Sequence, residues 1–539
     1  MWRSPRVIAI ALSTLTVLIA SLLIAQFYST GEPIIIEETA GDSTVYIEAR
    51  HNAILFPGEC LEVNWEINGI NAVFIQTKHG YRGTTGLDKA VFCIWSDNDN
   101  PTLRVEFPDS STESYVLDIQ HLYASPLITG GLIVTIIAGC VLAYFTIGMS
   151  AVVVILTLVC FVPILSMNSS FEMDFSSHIY WANIARSSGS FEDMPPHFVF
   201  HYMTIQLSNI VNGMSLIRSA FFVTLTSQVG TALGFYTLFN MLDARTRDKP
   251  YLKIIYGFVA VSLLLVGPIT YFLMGFRLPR TTALLYANTY HSPTMIVMRM
   301  FAVWLFVTII SIPAKWSKRV ILYLLAIIIL LLLASFSKPN YTLVIVPAYL
   351  VLMVLNFVRY RQVKLNTILV LVTLIITASV ALGWQYFAVF SDESTNIIAS
   401  ERSEILVQWF GLYTTWESPP QKAVVEWFVS LIFPIAVYLL YLKKAWKDDA
   451  LNLSWIALCG AIAMAVLFIE VPRTDHGNFV WGTRITTLIT FGVSASFLIR
   501  QPEIWTWQAL KSDWRFWICA MLFIVHVVHY IIAIIQFYG

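Results

Sequence analysis

Val320-Ile-Leu-Tyr-Leu-Leu-Ala-Ile-Ile-Ile-Leu-Leu-Leu-Leu-Ala-Ser-Phe336 runs for seventeen residues without one charged side chain. As a helix it rises about 25 Å, close to the roughly 30 Å hydrocarbon core of a bilayer. No water reaches a backbone at that depth, and a helix satisfies its own N–H and C=O groups, so the stretch reads as a membrane span. Its two ends differ. Lys315, Lys318 and Arg319 crowd the entry, and Ser337-Lys-Pro-Asn340 marks the exit.

Similar runs recur along the chain from Val7–Phe27 to Phe516–Phe537, about thirteen in all by the length rule. They include Leu127–Ile147, Ala151–Met167, Leu216–Leu242, Lys253–Met274, Met295–Ile312, Val425–Leu442, Leu451–Ile469 and Ile485–Ile499. With 57% hydrophobic and 12% charged residues over 539 positions, the composition is that of an integral membrane protein. Arg3 and Arg6, Asp243–Lys249, Lys315–Arg319, Arg359–Lys364, Lys443–Lys447 and Arg500–Arg515 all fall on one side when the N-terminus is cytoplasmic. The positive-inside bias therefore selects that orientation in a multi-pass cell-membrane protein. The first span, within residues 1–28, reads as an anchor because no clear small-residue cleavage site follows it, with a cleaved signal peptide, cut near Ala20 or Ala25, as the alternative.

Residues 29–125 have another character. Short β-prone stretches such as Ser43–Glu48, Leu61–Glu66, Ala72–Ile75, Ala90–Trp95, Leu103–Phe107 and Tyr115–Ile119 alternate apolar and polar side chains between Gly, Asn, Asp and Pro breaks. This pattern predicts a small antiparallel, immunoglobulin-like β-sandwich outside the membrane. Cys60 and Cys93 lie on two of its strands, which in an oxidising compartment allows a sheet-to-sheet disulfide. Cys140, Cys160, Cys459 and Cys519 sit in apolar spans as ordinary small core residues. Residues 126–539 then form the polytopic body.

The outer loops of that body are rich in chemistry. The first, Asn168–Ser215, opens with Met173-Asp-Phe-Ser-Ser-His-Ile-Tyr-Trp-Ala182 and interleaves Arg186, Glu192, Asp193, His197 and His201 with Trp181, Ile184, Phe198 and Phe200. With Ser176 as a cap, Asp174 stands at a helix N-terminus while His178, Ala182 and Ala185 share a stripe, as in a helix lying in the membrane interface. Acids at a membrane boundary are costly, which favours a function for Asp174 over a plain cap or ion pair. His178 is read as a catalytic or phosphate contact, with a boundary hydrogen bond as its plainer role. His197 and His201 have the spacing of a zinc half-site but no third ligand, so no metal site is assigned.

A span followed by an outer loop that opens on an acid and carries short amphipathic helices resembles the GT-C superfamily of membrane glycosyltransferases, from about Ala151 onward. The resemblance implies a sugar donor on polyprenyl phosphate, a site facing away from the cytosol, and Asp174 as general base. The chain departs from that pattern in placing a helix, the β region and another helix first. It also lacks a paired acidic metal motif in a second outer loop.

Such a transfer expels a phosphate, so outer cations matter. Candidates are Arg277 and Arg280, Lys338, Arg473 and Arg484. His291 lies in Tyr286–Thr294, which enters a span through Pro293 with Ser292 or Thr289 as cap. Asp475, His476, Asn478 and Trp481 add donors, acceptors and an aromatic plate suited to a sugar. Asp174 and His178 are thus the catalytic candidates, and the others the substrate or phosphate contacts. Three outer loops are expected to converge above Asp174. The expected partners are the polyprenyl-phosphate-linked sugar, a glycan, lipid or protein acceptor, and membrane lipid. No nucleotide-cofactor motif or nucleic-acid patch occurs. No cofactor is assigned, with a divalent metal left open. An O-antigen-ligase- or polymerase-like enzyme that works through arginines and a histidine is the alternative, and a lipid or sugar transporter is the non-enzymatic one.

Overall fold

A computed structural model describes residues 34–40, 43–51, 60–77, 80–84, 87–93, 102–117, 126–170, 174–189, 196–211, 214, 216–269, 287–288, 292–313, 315–390, 404–415, 420–471, 478–501 and 513–538. They form two compact units, 1–173 with 538–539, and 174–537.

Among the described residues, the first unit holds eight strands: β1 (Ile34–Ala40), β2 (Ser43–His51), β3 (Cys60–Asn68), β4 (Ala72–Thr77), β5 (Gly80–Thr84), β6 (Leu87–Cys93), β7 (Thr102–Glu106) and β8 (Thr112–Val116). They pair into two four-stranded antiparallel sheets, ordered β1-β2-β3-β6 and β5-β4-β7-β8. Alternate residues turn inward, as the period of two requires. Val45, Ile47 and Ala49 of β2 and Val63, Trp65 and Ile67 of β3 thereby share one buried cluster with Val73, Leu103, Val105 and Tyr115. Each such fully buried large side chain is worth about 1.5–3 kcal/mol. At the edge of that cluster the Tyr115 hydroxyl meets Glu38 and Glu113, each at 3.0 Å.

The cysteine expectation changes. Cys60 and Cys93 stand directly opposite each other on β3 and β6, neighbours within one sheet. The chain moves to the other sheet at β4 and returns only at β6, so any bond between these cysteines is cross-strand and does not join the sheets. Helices α1 (Pro126–Thr146) and α2 (Met149–Ser170) complete the unit and pack on each other. Gly148, at φ 112°, makes the reversal between them, a conformation that a Cβ would strain.

The second unit is helical: α3 (Asp174–Ser188), α4 (Val199–Ile210), α5 (Leu216–Leu242), α6 (Pro250–Leu263), α7 (Pro293–Ile310), α8 (Lys318–Ser337), α9 (Asn340–Tyr360), α10 (Leu365–Phe390), α11 (Gly411–Thr415), α12 (Pro420–Ser430), α13 (Ile432–Leu440), α14 (Leu442–Ala445), α15 (Asp449–Leu467), α16 (Trp481–Ile499) and α17 (Trp514–Tyr538). Among the described residues, seven helices are long and apolar enough to cross a membrane, or eight if the bent pair α12–α13 counts as one span. The chain is a mostly helical, membrane-embedded protein with fewer qualifying spans among the described residues than the thirteen expected; the expected first span and anchor, Val7–Phe27 within residues 1–28, lies outside the described residues.

Three expected spans change shape for visible reasons. The helix within Lys253–Met274 stops at Leu263, ahead of Gly267 and Pro268, and Val425–Leu442 breaks between α12 and α13 with a 63° bend. Leu451–Ile469 ends at Leu467, because Phe468–Val471 becomes a strand (β10) paired with Glu404–Val407 (β9). At the other extreme, every residue of α16 is buried, which makes it the interior helix. Its hydroxyls fold back on its own turns, Thr486 onto the Gly482 carbonyl and Thr490 onto the Thr486 carbonyl, both at 2.8 Å. Those two hydroxyls thus sit in the core with their donors satisfied, whereas Thr487, Ser494 and Ser496 of the same helix have no hydrogen-bond partner among the described residues.

Gly230-Thr-Ala-Leu-Gly234 gives α5 a face of small residues against α7. Met300 and Val303 lie over the two glycines, and Trp304 Nε1 donates to the Gly230 carbonyl at 2.9 Å. This is close approach of the kind small residues permit between membrane helices.

Candidate functional site

Helices α3 and α4 fold onto α5, α7 and α8 through Phe175, Val199, Phe200, Ala220, Val223, Val297, Phe301 and Ala334, a continuous apolar cluster. The stripe His178, Ala182 and Ala185 of α3 is buried. Helix α3 already includes Asp174, so Ser176 lies in its first turn instead of capping it.

Burying His178 brings its Nδ1 to 2.9 Å from Nε2 of His201, on α4. Trp181, Phe200 and His197 surround the pair, with ring centroids 5.1, 5.9 and 6.2 Å from that of His178. Burial first, and then the neighbouring His201, His197 and Lys338, hold His178 well below its usual pKa. His197 is lowered in the same way, by burial, then Lys338 and His201. Burial pushes His201 down to about 3, against an opposing influence from the Phe198 carbonyl. The three imidazoles are therefore neutral near neutral pH.

Lys338 links this cluster to the interior helix. It follows α8 directly and precedes Pro339, the N-cap of α9, and its Nζ lies 3.7 Å from the centroid of the Trp481 ring. The Arg484 guanidinium carbon lies 4.0 Å from that same centroid. The approach depends on a glycine: a Cβ at Gly482 would come within 3.3 Å of the Asn340 carbonyl oxygen, so the first turns of α9 and α16 nearly touch. Two cations, an indole plate and two helix N-termini share one place, a combination that favours a bound anion.

Of the residues expected from the sequence, His178, Lys338, Trp481 and Arg484 come together. Asp174 opens α3, and the described backbone places it one turn before His178; its side chain is outside the described residues, as is that of Asn478 in the turn before Trp481. Arg277, Arg280, His291, Arg473, Asp475 and His476 lie outside the described residues, so the expected convergence of three loops does as well. Ser292 holds the N-cap position of α7 but makes no capping bond through its side chain. Among the described residues, no group of three His, Cys, Asp or Glu is placed to hold a metal ion.

Two things escaped the sequence reading. The first is His201 as the partner of His178, hinted at only by a histidine on an apolar helix face. The second is a buried polar knot where α6 ends. Asn288 donates to the carbonyls of Leu263 and Val266, both at 2.8 Å, and accepts from Nη1 of the fully buried Arg299 at 2.6 Å. The Tyr530 hydroxyl donates to the Asn288 carbonyl, and His526 Nδ1 lies 2.7 Å from the Gly267 carbonyl. The knot satisfies backbone groups that the early end of α6 exposes inside the protein.

The chain matches no protein-family model, no curated protein and no solved structure. Fold and site together define a class: a multi-pass helical membrane protein with a small all-β region and a cationic, aromatic and histidine-rich cluster at the ends of its helices.

Proposed function

We propose that the chain is a GT-C-type inverting glycosyltransferase that takes a sugar from polyprenyl phosphate and transfers it to an acceptor on the extracytoplasmic face of the cell membrane. The observation that supports this is the stack of Lys338, Trp481 and Arg484 next to the histidine pair. A sugar phosphate offers an anion for the cations and a ring face for the indole. In the transfer, the acceptor hydroxyl gives its proton to the face of α3 that carries Asp174 and His178. The freed oxygen bonds the anomeric carbon, and the bond from that carbon to the phosphate oxygen breaks. The electron pair stays on the phosphate, where Lys338 and Arg484 offset the charge.

In this reading Arg277, Arg280, His291, Arg473, Asp475, His476 and Asn478 complete the donor and acceptor sites. The two sheets form an immunoglobulin-like module outside the membrane, and the N-terminus is cytoplasmic. The test is mass spectrometry of purified protein in nanodiscs supplied with polyprenyl phosphate sugars and an acceptor pool. Transfer that vanishes in a folded Asp174→Asn variant supports the proposal. Transfer that survives Asp174→Asn but is lost on replacing Arg473 or His291 points to the ligase-type enzyme. Donor that binds and is never transferred overturns the enzymatic reading.

A further inference from the structure

We propose that the end of α9 remote from Lys338, together with α14 and the turn that follows it, forms a binding site for the phosphate headgroup of an anionic glycerophospholipid. Helix α9 starts at Asn340, two residues after Lys338, and ends at Tyr360. Its 21 residues rise about 30 Å, the thickness of a hydrocarbon core, so its two ends address opposite leaflets. In the orientation proposed above, this end faces the cytoplasm. The site shares no residue with the stack of Lys338, Trp481 and Arg484, and it does not depend on the transferase reading.

Leu442, Lys443, Trp446 and Lys447 line a groove of about 540 Å³, within the range of small-molecule sites. Trp446 keeps the helical backbone of α14, at φ −55° and ψ −28°, so residues three and four positions apart lie on one face and Lys443, Trp446 and Lys447 come together. Both lysines are exposed and form no ion pair among the described residues. The indole has two neighbours. Its exposed part lines the groove, and Arg359 from the last turn of α9 covers its ring, the guanidinium carbon lying 4.1 Å from the centroid.

Arg359 is poorly satisfied where it stands. Its Nη1 reaches Asn356 Oδ1 only at 3.5 Å and Asp449 only at 4.0 Å, and its Nε and Nη2 meet no hydrogen-bond partner among the described residues. A guanidinium held in this way favours a nearby anion. The neighbouring Asp448 cannot serve as that anion, because it already accepts from the Leu451 N–H at 2.9 Å and from Arg500 at 2.8 Å. Lys444, which donates to Gln501 Oε1 at 3.1 Å, adds to the positive charge.

The groove also has an apolar border. Leu439, Leu442 and Val358 are large, exposed hydrophobic side chains next to these cations, a surface suited to acyl chains, and an indole sits well at headgroup depth. A soluble phosphate would use the cations and leave that border idle. A zwitterionic lipid would bring its ammonium against the lysines. An anionic lipid uses both features at once.

The test places full-length protein in nanodiscs of phosphatidylcholine with and without phosphatidylglycerol and counts the retained lipids by native mass spectrometry. Phosphatidylglycerol is expected to bind at least about tenfold more tightly than phosphatidylcholine. Lys443→Gln/Lys447→Gln lowers that preference at least about tenfold, since each basic residue near an anionic lipid contributes about fivefold, and it leaves phosphatidylcholine retention unchanged. Excess inorganic phosphate does not displace the lipid. Equal retention of the two lipids by the unaltered protein, or an undiminished preference in the double variant, overturns the proposal. Displacement by inorganic phosphate assigns the groove to a soluble anion and overturns the lipid assignment. Should the double variant not fold, Lys447→Gln alone is expected to weaken phosphatidylglycerol binding about fivefold, and no weakening there overturns the proposal equally.

Discussion

Lys338 Nζ lies 3.7 Å from the centre of the Trp481 ring, 143 positions away in sequence, with Arg484 4.0 Å from the same centre. Two like charges against one indole repel each other unless the ring, or an anion, offsets them. Cation–π attraction supplies about 0.5–2 kcal/mol per contact. Trp481→Ala is therefore expected to weaken binding of a polyprenyl phosphate sugar about tenfold, one tenfold step being about 1.4 kcal/mol. Trp481→Phe, which keeps a ring face, loses less. Calorimetric titration of each variant with the donor checks this, and equal affinity for Ala and Phe would refute it.

The histidine cluster makes a second expectation, about acid. His178, His197 and His201 all have folded pKa values below their ordinary 6.5, so the unfolded chain binds more protons than the folded one as pH drops below that value. Their contribution is complete above about pH 6.5 and shrinks as pH falls, by up to about 1.4 kcal/mol per pH unit for each histidine. For His201 the loss continues toward its folded value of about 3. Melting temperature against pH should fall below 6.5 in the unaltered protein and fall less steeply in His201→Gln. Parallel curves would argue against buried, neutral imidazoles.

How much of this was legible in the sequence depended on distance and on polarity. Val320–Phe336 announced α8 because nothing in it but a membrane or a core could cover so much apolar surface. Helix α16 is equally legible as a span, but its Thr and Ser content gives no sign that it is the interior helix; that follows from the helices packed around it, with Thr486 and Thr490 bonding their own preceding turns. The early stop of α6 is only partly signalled by Gly267 and Pro268, because the partner that satisfies the exposed Leu263 and Val266 carbonyls, Asn288, lies more than twenty positions further on. The site was half visible. Lys338, Trp481 and Arg484 stood out as scarce outer cations and an aromatic, and His178 as a motif residue. The His178–His201 pairing spans 23 positions and two helices, which no local pattern encodes.

The glycines give a contrast in stability. A Cβ on Gly267 would fall within 2.1–2.8 Å of the Tyr530 ring and Cβ, and that ring is tied by its hydroxyl to the Asn288 carbonyl. A Cβ on Gly230 would meet chiefly the Met300 sulfur and Cγ, the adaptable end of a flexible side chain. Gly267→Ala is expected to cost about 1–3 kcal/mol, and Gly230→Ala less. Thermal unfolding in detergent ranks them, and the reverse order would contradict the packing described.

Asp243 carries the last prediction. It follows α5 and accepts from Arg245 Nε at 2.8 Å and Nη2 at 2.7 Å, and from the Tyr256 hydroxyl at 2.7 Å. Arg245 also donates to the Ile499 carbonyl at 2.9 Å, so the carboxylate ties the end of α5 to the end of the interior helix. Burial by itself raises the carboxyl pKa, but the bonds from Arg245 and Tyr256 more than reverse that, and the value ends below the ordinary 3.8. A depressed carboxyl stabilises the fold fully above its unfolded value and progressively less as pH falls through the folded one. Asp243→Asn should therefore lower stability near neutral pH by about 1.5–3 kcal/mol, the range for hydrogen bonds to charged groups. It should also remove this residue's share of the stability loss below pH 3.8. Unfolding curves recorded from neutral to acid pH would show both effects, and an unchanged midpoint at neutral pH would mean that α5 and α16 are held together by packing alone.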